Sequence, residues 1–337
     1  MSGLSPLPAA IGDRQPDPVS TEAVRRLDAR AGGDALRRAV ELALRAPSVQ
    51  NSQPWRWRIH LGSVELHADD SRHRSAGDPD RRDLVISCGA ALHHLRVALA
   101  GTGWGCRVTR LPDPDDPAHL ATVQVVAGLP DRAAALLQPM IDRRRTDRRR
   151  FGTRPVRRAL LDTLVTCAAA EGAGLRPFTC SVALARLEAA LTEAAIRPRH
   201  VIGAPDELTM WPDPGSTPFD DPPPGHRPVG GRPIDGAPPG KDPGAGSGCL
   251  LVLTTPADAV ADRLTAGEAA SAVLLTATGL GLASTLLSQA LARAPHRTPD
   301  GPPAQSQVVV RVGWPADGAS RLPATPRRLL ESVLLPG

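Results

Sequence analysis

The chain has no tyrosine, three phenylalanines and five tryptophans, so aromatic residues are only 2% of its 337 positions. Its core must therefore be packed mainly from Leu, Val and Ala, and each tryptophan marks a position worth locating. Lysine is nearly absent: Lys241 stands alone, and arginine supplies almost all of the 40 basic residues. Arginine runs thus reflect overall composition before they indicate a function. The five cysteines (Cys88, Cys106, Cys167, Cys180, Cys249) are odd in number and scattered, with no CxxC. That pattern argues against a disulfide framework and against a structural zinc site, and it fits a reduced cytoplasmic chain. No apolar run reaches the length of a membrane span. The opening MSGLSPLPAAIGDRQPDP lacks the basic and apolar regions of a secretory signal.

The hydrophobic fraction is 41%, enough for a sizeable core, and the length suits two modest domains or one large one. The formal net charge of +5 permits an anionic ligand but is too small and too dispersed to require nucleic acid. Residues 1–34 form a polar N-terminal segment with a short helix expected around Glu22–Arg30. Apolar residues at Leu36, Ala39, Val40, Ala43 and Leu44 mark one face of a helix that stops before Pro47. A loop and a strand follow in SVQNSQPWRWRIHL, and a second short strand begins at Glu65–His67. Leu84–Leu99 reads as a long apolar helix, with strands at Cys106–Leu111 and Thr122–Val126.

The pattern then restarts. Helices are expected at Ala133–Ile141, Arg157–Ala170, Ser181–Ala195 and Ala269–Thr278, and strands at Leu250–Thr254 and Val308–Val312. Residues 203–248 are dominated by Pro, Gly and Asp and have too little apolar content to make a core. Two pieces look like copies. LRVALAGTGWG and AVLLTATGLG are both apolar helices running into G-x-G, and ALRRAVELALRAPS resembles ALLDTLVTCAAAEG. The expected architecture is a duplicated α+β unit, with halves at 35–130 and 131–337 packing like the subunits of a dimer.

Two segments are candidates for chemistry. APSVQNSQPWRW (46–57) presents several short neutral hydrogen-bonding side chains after a helix, suited to a planar polar ligand. Composition alone favours a polar turn with Trp55 in the core. DRRRTDRRRF (142–151) offers a fork of guanidiniums around Thr146, suited to a phosphate, although a solvated helix end would look the same. GTGWG (101–105) follows a helix rather than a strand and lacks dinucleotide-binding spacing. Cys88 sits in an apolar helical run and reads as a buried thiol, with His93 and His94 as helix-surface or interface residues.

Together these segments resemble the FMN-dependent nitroreductases. APSVQNSQPW (46–55) looks like their A-P-S-x-x-N-x-Q-P-W loop, RRTDR (144–148) like their R-R-S-x-R phosphate motif, and GLGLASTLLSQ (279–289) like their helix-to-flavin segment. In ordinary nitroreductases the Arg motif precedes the loop. Here the order is reversed and split between halves, as in the Acg-like branch, where one chain mimics the whole dimer. RRDLVISCGAALHHLRVALAGTGW (81–104), Glu207-Leu208 with Trp211, and RVGWP (311–315) match that branch as well.

The resemblance implies a nitroreductase-like fold with FMN held between the halves. It assigns Pro47, Ser48, Asn51 and Gln53 from the first half. From the second it assigns Arg144, Arg145, Thr146 and Arg148, Ser284, Thr285, Leu286 and Leu287 beside the ring, and Arg327 or Arg328 on the phosphate. Around Arg25–Arg30 no matching phosphate motif occurs, so one FMN per chain is expected. The flavin would carry hydride from NAD(P)H to a small electron-poor acceptor, with no obligatory side-chain acid or base, no metal, no nucleic acid and no membrane partner. The chain would be a monomer of pseudo-dimeric halves or a weak homodimer. In the family, the region of residues 203–248 resembles a lid anchored here by Trp211 and Phe219. A covered flavin would make the protein an FMN-sequestering one instead.

Overall fold

The computed structural model describes residues 33–73, 75, 77–126, 130–149, 151–177, 248–287 and 304–336. The expected helices at Glu22–Arg30 and Ser181–Ala195, the lid with Trp211 and Phe219, and the Glu207-Leu208 element lie outside them.

Helix α1 (33–43) buries Leu36, Ala39, Val40 and Ala43, the stripe read from its spacing. Strands β1 (Trp55–His60) and β2 (Ser63–Ala68) form a hairpin, with Trp55 and Trp57 fully buried on one face. Helix α2 (Arg82–Gly101) leads to β3 (Gly105–Arg110) and β4 (His119–Val126). The sheet order is β1-β2-β4-β3, antiparallel throughout. Helix α3 (Arg132–Arg143) links to α4 (Arg158–Ala170), β5 (Gly174–Pro177) and β6 (Cys249–Thr255). Then come α5 (Val260–Gly279), β7 (Ala283–Leu287) and β8 (Gln305–Gly313). The second sheet, β5-β6-β8-β7, has the same order as the first.

One expected element was too short and one was missing. Helix α5 begins at Val260 rather than Ala269: Arg263 and Glu268 break its apolar pattern, and ion pairs accommodate Arg263 partly buried and Glu268 fully buried. Glu268 is fully buried, with Arg96 at 2.8 Å and Arg110 at 2.7 Å. Segment 283–287, read as a turn, is an edge strand along β8. Of the two places expected for His93 and His94, a helix surface or an interface, they occupy the interface: both are buried against α5, where Ser271 Oγ lies 2.8 Å from each Nδ1.

Helices α2 and α5 cross where two glycines face each other. A Cβ on Gly89 would lie 2.1 Å from the Leu264 backbone oxygen, and one on Gly267 would lie 2.1 Å from that of Ile86. The contacts are reciprocal, as across a two-fold axis, with His93 meeting its own counterpart Ser271 at 178 positions' separation. Helix α2 has the length and hydropathy of a membrane span, but it is 89% buried at this crossing and under the first sheet. Cys88 is buried in it, and desolvation pushes its thiol pKa far up, as fits an inert thiol.

Burial also lowers the His93 pKa from 6.5 to about 4 and that of His94 well below 6.5. The unfolded chain therefore takes up protons first as pH falls. Stability supplied by neutral His93 is complete above pH 6.5 and is lost as pH drops toward 4. The slope should approach about 1.4 kcal/mol per pH unit for each histidine. Urea unfolding at several pH values should show this loss, and His93→Asn should flatten it. Equal slopes in both proteins would show that His93 is already charged in the fold.

The two halves are interlocked. After β8 the chain returns to the first half, where α6 (Leu330–Val333) buries Leu330 and Val333 in the core around Trp57. The Leu335 N–H then donates to the Trp57 oxygen at 2.7 Å. This return carries Arg327 and Arg328 to the loop that precedes β1.

Candidate functional site

The loop between α1 and β1 is built from unusual backbone. Gln50, Asn51 and Gln53 all have positive φ, at 47°, 57° and 48°. Each such residue is disfavoured, and three in four positions persist only because surrounding bonds fix them. Ser48 Oγ accepts from the Gln53 N–H at 2.9 Å, and the Val49 N–H donates to Ser87 Oγ on α2 at 3.2 Å. Pro47 and Gln53 are buried, while Ser48 and Asn51 are partly open. The polar-turn reading of this loop is correct in that Trp55 is in the core.

The returning C-terminal segment clamps this loop. Arg327 donates to Asn51 Oδ1 at 3.0 Å, and Asn51 Nδ2 donates to the Pro326 oxygen at 3.2 Å. The Arg328 N–H donates to Gln53 Oε1 at 2.8 Å, and the Arg328 guanidinium pairs with Asp69 at 3.1 Å. Arg328 is thus neutralised by a buried carboxylate. Arg327 has none among the described residues.

The arginine segment arrives from α3. Thr146 forms a parallel bridge with Ser284, and the Asp147 N–H donates to the Ser284 oxygen at 2.9 Å. Residues 144–148 therefore run as an extended edge beside β7, not as a solvated helix end. Ser284 and Thr285 are buried, and Leu286 and Leu287 are partly buried. Arg144 is only 5% exposed. It reaches Thr146 Oγ1 at 3.3 Å and the Arg45 carbonyl oxygen at 3.4 Å. Arg327 reaches the same carbonyl at 3.3 Å. The two guanidiniums thus converge on one backbone atom of the first half.

This convergence is electrostatically costly as it stands. Burial, then the neighbouring Arg327 and Arg145, push the Arg144 pKa down to about 9. Burial and the Arg145 and Arg45 charges push that of Arg327 to about 10. The Nε atoms of Arg144, Arg145 and Arg327 are buried without a hydrogen-bond partner. The nearby carboxylate Asp142 pairs with Arg45. Arg148 is exposed, and desolvation by the surrounding protein lowers its pKa. The fold thus gathers cations from three distant segments at a partly closed junction between the halves. Such a junction suits an anion with several oxygens, since guanidiniums bind phosphate oxygens in pairs.

Ser48, Asn51, Gln53, Arg144, Thr146, Ser284, Arg327 and Arg328 are joined through these contacts, and Pro47 is buried at the start of the same loop. Arg145 stands beside them, its side chain donating to the carbonyls of Asp142 and Arg144. Arg148, Thr285, Leu286 and Leu287 flank the group without bonding to the loop. Sequence reading missed Arg45, whose carbonyl is the meeting point, and His94, whose pKa is lowered by burial and then by the charges of Arg144, His93 and Arg327. Arg45 lies immediately before the APS motif, the one signal that could have found it.

No family model matches the chain. Two proteins of Mycobacterium tuberculosis H37Rv bear the name "Putative NAD(P)H nitroreductase". One, Rv3131, is 39% identical to this chain over 320 residues, covering 89% of this chain and 91% of its own. The other, acg, is 33% identical over 324 residues, covering 89% and 95%. Among solved structures, a Bacteroides fragilis nitroreductase with bound FMN aligns at 13% identity and a TM-score of 0.38, covering 57% of this chain and 94% of that one.

Proposed function

Because the chain belongs to the Acg-like nitroreductase family, we propose that the cationic junction holds FMN. On this reading the protein is an FMN-dependent oxidoreductase that uses NAD(P)H to reduce a small electron-poor acceptor. The observation that carries this is the Arg144–Arg327 pair, two converging cations without a carboxylate among the described residues. A phosphate would satisfy both. Arg145 and Thr146 would add donors to the same group, and the open Arg148 would face the polar edge of the flavin. Ser48 and Asn51 would contact the ring system from the first half and Ser284 to Leu287 from the second. When bound, FMN would supply the hydride chemistry. The residues of this chain would hold the phosphate, orient the ring between the halves and offset the negative charge gained on reduction. Cys88, Cys106, Cys167 and Cys249, the cysteines among the described residues, are free, which fits a cytoplasmic setting.

The matching sheet orders and the reciprocal α2–α5 crossing support a duplicated unit in which one chain stands for a dimer. The second half has only a tight turn at 171–173 where the first has the long loop of 44–54. Glu171 of that turn is spent on Arg96, at 2.6 Å. The purified protein should therefore carry one FMN per chain, measured by flavin absorbance after denaturation against protein concentration. Two FMN per chain, or none after reconstitution, would sink the split site. Anaerobic mixing of the loaded protein with NADPH should bleach the flavin band. A protein that binds FMN and stays oxidised would be a flavin store rather than a reductase.

A further inference from the structure

A second cluster of ligand-type side chains lies on the first sheet, away from the arginine junction. Glu65 and His67 are on β2 and His119 begins β4. In a regular ladder, the partner that follows Ala121 opposite Leu66 would be Leu120. A bulge shifts the register between Leu66 and His67, so that His67 pairs with His119 instead. Such a bulge re-aims side chains at the end of a sheet. Here it stacks the two imidazoles, with ring centroids 4.5 Å apart and planes 17° from parallel. One ligand atom from each of Glu65, His67 and His119 falls within 4.8 Å of the others.

The second half shows what the fold itself requires. The strand pair β6–β8 has a bulge at the corresponding place, between Leu253 and Thr254. There Thr254 pairs with Ser306, and Val252 stands two residues before Thr254, where Glu65 stands before His67. The bulge therefore belongs to the architecture, whereas the two histidines and the carboxylate belong to the first half alone.

From this placement the geometry points to a divalent transition-metal site of the zinc class, formed by Glu65, His67 and His119. Imidazole nitrogens with a carboxylate oxygen are a donor set that suits zinc, nickel or copper rather than magnesium or calcium. Three protein ligands leave a position for water or for Asp116, whose carboxylate lies 3.7 Å from His67 Nδ1. Zinc bonds of about 2.0–2.2 Å require ligand atoms closer together than 4.8 Å. Nitrogen lone pairs lie in the ring planes, so binding requires the His119 ring to turn out of its stack on His67, a movement its partly exposed position at the start of β4 allows. The neighbours that metal must compete with are explicit. Arg58 donates to Glu65 Oε2 at 2.8 Å, His67 Nε2 lies 3.0 Å from that same oxygen, His60 lies 3.0 Å from the other, and His119 Nε2 is 2.9 Å from Thr122 Oγ1.

The test uses full-length, tag-free, FMN-loaded protein titrated with zinc chloride by calorimetry. The expected result is saturation at one equivalent. His119→Ala and Glu65→Gln, both at partly exposed positions, should each weaken binding by more than the roughly 10–100-fold that losing an outer hydrogen-bond partner costs. Arg58→Gln, which removes the competing cation from Glu65, should tighten it. No saturable binding, or affinities in the first two variants within about twofold of the parent, would overturn the assignment. Weaker binding in Arg58→Gln would overturn it as well. Far-UV circular dichroism of each variant separates loss of ligand from loss of fold.

Discussion

Arg144→Met should have opposite effects on the ligand-free protein and on its FMN complex. The guanidinium is buried beside Arg327 and Arg145, and its pKa is held down to about 9. Removing an uncompensated buried charge and leaving an apolar chain of similar length relieves that desolvation and repulsion. Ligand-free protein should gain on the order of 1–4 kcal/mol, the range seen when buried ionic groups give way to apolar ones. The complex should lose about 1.5–3 kcal/mol of FMN affinity, the contribution of a hydrogen bond to a charged group. Riboflavin, which lacks the phosphate, should lose little. Urea unfolding of the ligand-free protein and fluorescence titration with both flavins measure the three quantities. A destabilised ligand-free variant, or equal losses for FMN and riboflavin, would make Arg144 a structural residue.

Composition and spacing made the parts of this site legible one segment at a time, whereas their meeting was implied by the family resemblance alone. The 46–53 loop and the arginine run each carried a recognisable pattern, yet each also fitted an ordinary turn or helix end. What joins them is long-range pairing: the bridge from Thr146 to Ser284, and the return of Leu335 to Trp57. Neither leaves a periodic trace. The difference between Arg327 and Arg328 was equally hidden, since it depends on Asp69, just after β2, pairing with Arg328.

Elements read best where apolar spacing dominates, as in α1 and α2. They read worst where a buried charge interrupts the pattern, as Glu268 does in α5. Edge strand β7 was missed because its short run follows a glycine turn and carries Ser and Thr among its leucines. The Glu65–His67–His119 cluster depends on a bulge, which shifts one strand's partners without changing its composition.

Gly267→Ala should be among the most destabilising single substitutions in the chain. On an open helix surface the change would stabilise by about 1 kcal/mol, because alanine is the better helix former. Here the new Cβ would meet backbone on every side: the Ile86 oxygen at 2.1 Å, Gly89 Cα at 2.8 Å and the Ala90 nitrogen at 2.9 Å. No side chain can rotate away, so the helices must move apart. That separation would loosen a core shared by both halves, since Leu264 and Leu275 of α5 pack in the first core and Ile86 of α2 in the second. Overpacking commonly costs about 1–3 kcal/mol, and a clash confined to backbone should exceed about 3 kcal/mol. Gly33→Ala, with nothing within 4 Å of the added atom, is the control and should be neutral or slightly stabilising. Gly89→Ala should match Gly267→Ala, because the two contacts are reciprocal. The double variant should cost less than the sum, since the first alanine already opens the crossing for the second. Denaturant unfolding of the parent and the four variants decides it. A Gly267→Ala variant within about 0.5 kcal/mol of the parent, the size of a neutral surface change, would mean that α2 and α5 do not approach this closely.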